Sequence, residues 1–122
     1  MVDNHMNSES LREKYIQYAK DWGTAIVQGD RKSANKIHRL LNKTISVIKQ
    51  DEPECRLFLS DLIHHPEPSV RLVASVDSLY LGINLKESEY TLDSLASNPE
   101  FKVLRLMALA SLDVWRKQAK IS

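Results

Sequence analysis

Residues 65–74 read His65-Pro66-Glu67-Pro68-Ser69-Val70-Arg71-Leu72-Val73-Ala74, and their second half returns 34 residues later as Leu104-Arg105-Leu106-Met107-Ala108. Pro66 disfavours helical geometry at His65, and Pro68 suits the first turn of a new helix, where a missing N–H costs nothing. Just upstream, Leu59-Ser60-Asp61-Leu62 returns as Leu92-Asp93-Ser94-Leu95, 33 residues later. The one-residue difference falls in the turn, where insertions are tolerated. Each unit therefore reads as helix, proline-bearing turn, helix. A period between about 20 and 50 residues is that of stacked helix pairs. One pair cannot bury both its faces, so it stacks on another and leaves an extended surface open.

Working outward, the apolar spacing predicts six helices and no strand. The first runs from Glu9 to Gln28, with Leu11, Tyr15, Tyr18, Ala19, Trp22 and Ile26 on one stripe. Gly29 is placed to end it in the left-handed conformation, and Asp30 to cap the next. The second helix, Arg31 to Lys49, carries Ile37, Leu40, Leu41, Thr44, Ile45 and Ile48 inward. The third, Pro53 to His64, offers Cys55, Phe58, Leu59, Leu62 and Ile63. The fourth ends at Gly82, with Val70, Val73, Ala74, Val76, Leu79 and Tyr80 mostly inward. Asn84 followed by Glu87 predicts a capping box at the start of a short fifth helix. Asn98-Pro99 opens a sixth that reaches Gln118. The expected architecture is all-α: an α-α superhelix of about six antiparallel helices, HEAT-like in its repeat. We expect one domain over residues 1–122, with 1–8 disordered, 9–50 a terminal helix pair, and 53–82 and 86–118 two repeat units.

Composition agrees with a packed chain. Of 122 residues, 43% are hydrophobic and only three are Gly, which suits helices rather than disorder. Cys55 is the single cysteine, which rules out an intrachain disulfide and fits a reducing compartment. Met1 to Ser10 is polar, and no apolar run approaches the ~20 residues that span a bilayer. The expectation is a cytoplasmic protein without a membrane segment. The net charge of +1 conceals an asymmetry: residues 51–100 carry three Lys/Arg against ten Asp/Glu, while both flanks are basic.

The segment His65 to Ala74, with Leu79 and Gly82 after it, resembles the second helix of a HEAT-type repeat. Over residues 9–118 the chain resembles an uncharacterised small bacterial family of helical-repeat domains, with residues 62–82 carrying the specific part. Members of that family are often encoded beside polymorphic toxins, including contact-dependent growth inhibition systems, and are taken to be immunity proteins. The resemblance implies a protein that binds a cognate toxin and performs no chemistry of its own. The basic stripe of the second helix and the apolar last helix lie outside it.

No catalytic constellation stands against that implication. His64 and His65 are neighbours, which do not share a helix face, and His5 and His38 have no ligand spacing to them. A solvated helix end accounts for the pair. Cys55 sits on an apolar stripe and reads as core. There is no Gly-rich phosphate loop and no nucleophile elbow. No metal and no cofactor is expected, and the chain does not read as an enzyme. Arg71 and Arg105 occupy matching repeat positions and read as structural, each pairing with an acid or carbonyl of a neighbouring unit.

Two surfaces remain. Lys32, Lys36, Arg39 and Lys43, at steps of 4, 3 and 4, share one face of the second helix and suit phosphates. A solvated helix face explains them too, and the acidic middle would repel the same backbone, so nucleic acid ranks behind a protein partner. The second surface is acidic. Asp77 and Tyr80 lie one turn apart, and Glu87, Glu89, Tyr90 and Asp93 crowd the fifth helix. Acids near a helix start are also favoured by its dipole. Carboxylates interleaved with tyrosines suit a basic protein, such as a nuclease toxin domain, and these six residues are the expected partner-binding set. The sixth helix is apolar on nearly every side, from Val103 to Trp115. It is either core or a contact face, which leaves a non-catalytic scaffold or homodimer as a further reading.

Overall fold

The computed structural model describes residues 8–121, and within them the chain is all-α. The helices are α1 (Ser8–Gln28), α2 (Arg31–Ile48), α3 (Glu52–Ile63), α4 (Pro68–Leu81), α5 (Leu85–Ala96) and α6 (Val103–Ile121). A single 3-10 turn, Pro99–Phe101, precedes α6, and no strand occurs among the described residues. Of residues 1–8, expected to be disordered, 1–7 (His5 among them) lie outside the described residues, and Ser8 is instead the first residue of α1. The described chain divides into two compact units between Phe58 and Leu59, inside α3.

In the first unit α1 packs on α2. Tyr15, Ala19, Trp22 and Ala25 are buried at steps of 4, 3 and 3, the spacing that keeps one face of a helix inward. Gly29 ends α1 at φ +74, and the Asp30 N–H closes onto the Ala25 carbonyl at 2.8 Å. The Asp30 carboxylate then accepts from the Ser33 N–H at 3.1 Å and caps α2. Hydrogen bonding from Ser33 holds the Asp30 carboxyl below its usual range. Ala34, Leu41, Thr44 and Ile48 are the buried line of α2, while Ile37, Leu40 and Ile45 flank it half-buried. Phe58 of α3 meets Tyr15 edge to face, with centroids 5.4 Å apart, and the Arg12 guanidinium lies 5.1 Å over the Phe58 ring. Cys55 is buried beside these contacts' helix turn, as its stripe position predicts.

In the second unit α4 packs on α5, α5 on α6, and α4 on α6. The core here is built from Leu59, Leu62 and Ile63 of α3, Val70, Leu72, Ala74 and Leu79 of α4, Leu92 and Leu95 of α5, and Leu104, Ala108 and Leu112 of α6. Gly82 ends α4 at φ +73, and the Ile83 N–H reaches back to the Ser78 carbonyl at 3.0 Å. Arg71 donates to the carbonyls of His65 and Pro66 at 2.9 and 3.0 Å and lies 5.7 Å over the Phe101 ring. It therefore ties down its own turn rather than a neighbour's carbonyl. The Arg105 side chain makes no hydrogen bond or ion pair among the described residues.

Two local expectations are corrected. Asn84 sits at the start of α5 in the left-handed conformation, φ 49, and its side chain makes no capping bond. A capping residue ordinarily has extended backbone geometry, which Asn84 lacks. Pro99 opens the 3-10 turn and not α6, because Lys102 at φ 51 breaks the helical path before Val103.

The sequence repeat has a measurable counterpart in burial. Val70 and Leu104 are both buried, as are Ala74 and Ala108, while Val73 and Met107 are both half-buried. Leu59 and Leu92 are buried alike, and so are Leu62 and Leu95. The copies part on one face. Leu72, Ser75 and Leu79 of α4 are buried, whereas their equivalents Leu106, Leu109 and Asp113 of α6 are exposed.

Candidate functional site

The six residues singled out from the sequence do not form one patch. On α5 the buried line is Ser88, Thr91, Leu92 and Leu95. At 100° per residue Glu87 and Glu89 fall on opposite flanks of that line, about 160° apart the short way round. Glu87 faces α3, where its carboxylate stands 3.1 Å from His64 Nε2 and accepts from the Ser60 hydroxyl at 3.4 Å. Glu89 faces α6: Arg116 donates from Nε to Glu89 at 3.0 Å and from Nη2 to Asp93 at 3.0 Å. Asp93 follows Glu89 by four residues, so one guanidinium fork spans both carboxylates. Hydrogen bonding to Glu89 is the main cause of an Arg116 pKa above its ordinary value. Tyr90 points away from the core and is 78% exposed.

Asp77 and Tyr80 share α4. Asp77 is half-buried. Tyr80 was expected mostly inward and is instead 77% exposed. Its ring lies at the lip of a cleft of about 640 Å³ between α4 and α6, lined by Val76 and Leu79 on one side and Val114, Trp115 and Gln118 on the other. That volume is within the range of sites that hold a small molecule or a cluster of partner side chains. Its walls are mainly apolar, with Ser111 and Gln118 supplying polar atoms. Such a cleft can seat an apolar group and orient it through a few hydrogen bonds. Of its walls only Tyr80 was picked out as a binding residue from the sequence. The available signal was the apolar surplus of α6, which marks Val114 and Trp115 as candidates without saying which side is open.

His64 and His65, at the end of α3, part as adjacent helix residues do. His64 turns to Glu87, and His65 Nδ1 accepts from the Glu67 N–H at 3.0 Å. No group of three His, Cys, Asp or Glu side chains among the described residues is placed to hold a metal ion. Among the described residues no helix is long and apolar enough to cross a membrane. Lys32, Lys36, Arg39 and Lys43 are all exposed on α2. No family model matches the sequence, and no curated protein or solved structure proves similar to it.

Proposed function

We propose that this chain is a non-catalytic binding protein that neutralises a basic toxin domain, of nuclease type, by covering its active site in the cytoplasm. The observation that carries the reading is Tyr80, 77% exposed at the lip of the apolar cleft between α4 and α6. Tyrosine is ordinarily at least partly buried, and one held this far out beside an apolar recess has the makeup of an interface anchor. Asp77 lies one turn away on the same helix. Glu89 and Asp93 add carboxylates to the same compact unit, held in place by Arg116. A basic partner would pair with such carboxylates and be fixed by apolar contact in the cleft. The resemblance of residues 65–82 to a HEAT-type repeat, and of the chain to toxin-linked helical-repeat domains, adds the biological setting.

The test is co-expression with the toxic product of the adjacent reading frame. The wild-type chain is expected to protect the cell and co-purify with that product. Tyr80→Ala, with its helical signal intact, is expected to lose both. Survival without physical association, or no protection at all, removes the proposal.

A further inference from the structure

The first unit carries a surface that the toxin reading leaves unused. α2 contains five Lys/Arg, from Arg31 to Lys43, and no Asp or Glu. Lys32, Lys36, Arg39 and Lys43 fall within about 60° of one another on the helical wheel, at 100° per residue. All four are exposed, and none of their side chains makes an ion pair or a hydrogen bond among the described residues. The acids that form ion pairs among the described residues do so elsewhere: Glu52 with Arg56, Asp113 with Lys117, Glu89 and Asp93 with Arg116, and Glu87 with His64. None of them pairs with the α2 row.

We infer that this row binds the phosphodiester backbone of nucleic acid without reading its sequence. From Lys32 to Lys43 the helix rises about 16 Å. Over that length one strand of a duplex presents about five phosphates. Beside the cations run the exposed amides of Asn35 and Asn42, two turns apart on one line, which suit phosphate and sugar oxygens. The composition of the face separates this ligand from two others. An interfacial membrane helix must free its apolar side for lipid, whereas α2 buries Ala34, Leu41 and Ile48 in a unit where it packs on α1. A protein partner needs aromatic or large apolar anchors, and the face has none among its cations. The exposed Val47 lies beyond Lys43, at the end of the helix.

The experiment measures binding of the full chain to a labelled 20-base-pair DNA duplex, the matching RNA duplex and a single-stranded RNA, from low to physiological salt. Four phosphate contacts predict a slope of log affinity on log salt of about −3.6 for the DNA duplex. The double variant Lys36→Gln/Arg39→Gln should halve that slope and weaken binding at least tenfold at low salt, with an unchanged melting curve. Lys117→Gln, which removes an exposed cation from the other unit, should leave binding as it was. Failure to bind any of the three at low salt overturns the inference. So does binding that the double variant leaves unchanged, or capture by anionic vesicles or an acidic protein in place of nucleic acid. None of these outcomes bears on protection by Tyr80, so the two proposals fail separately.

Discussion

Arg116 of α6 stands 2.9 Å from the carboxylate of Glu89 on α5, across 27 residues of sequence. The same guanidinium holds Asp93 at 3.0 Å. A segment in which acids outnumber bases ten to three is thus partly neutralised from outside itself. Both carboxylates and the guanidinium remain substantially exposed, so the arrangement orients charge more than it stabilises the fold.

Arg116→Gln should lower the melting temperature only slightly at low ionic strength. The difference should close near 1 M salt, where the screening length falls to about 3 Å. A drop as large as that from a core deletion, persisting in high salt, would show the clamp to be structural.

The two copies of the repeat should respond unequally at equivalent positions. Leu72 is buried and Leu106 is 55% exposed. Leu72→Ala should cost about 2–5 kcal/mol in denaturant unfolding, and Leu106→Ala less than about 0.5 kcal/mol. Equal losses would mean that the outer face of α6 is covered in solution.

Asp30 gives a pH signature. Its carboxyl is held below the unfolded value of 3.8 by hydrogen bonding from Ser33. The cap's contribution is therefore fully present above about pH 4 and is lost as pH falls through the lower folded value. Asp30→Ala should be less stable than wild type at neutral pH and equal to it in strong acid. Asp30→Asn, which caps without titrating, should keep its advantage over Ala across the range. Thermal melts of the three proteins as a function of pH check this.

The hydroxyls of Ser75, Ser78 and Ser88 are buried with no hydrogen-bond partner among the described residues. Leaving a buried donor unpaired costs about 1–3 kcal/mol. Ser88→Ala should therefore be neutral or raise the unfolding midpoint. A loss above about 1 kcal/mol, on the same scale, would show that the hydroxyl is bonded in the folded protein.

Helix boundaries were legible at most residues with a backbone rule of their own, Pro99 being the exception. Gly29 and Gly82 end helices at positive φ, Asp30 caps, and Pro68 starts a first turn. The core was legible where the stripe is narrow, as on α3, whose five expected residues are all buried. Most of the failures share a cause. Glu87 has the spacing of a capping box, yet its carboxylate is taken by His64, 23 residues away. Asn84 has the right side chain, but the left-handed backbone denies it the geometry. α6 is apolar on too many sides for a pattern to say which is open, so the cleft against α4 was out of reach. Tyr80 was expected mostly inward on the same grounds. Contacts between elements decide all of these but Asn84, and one chain read locally does not contain them.

The central claim is that Tyr80 and the α4–α6 cleft anchor a basic protein partner. Titration calorimetry of the product of the adjacent reading frame into wild-type and Tyr80→Ala chains addresses it without a cellular readout. Tight one-to-one binding is expected, weakening at least about tenfold in the variant, a loss of ~1.4 kcal/mol or more. Equal heats and equal affinity for the two proteins would contradict it.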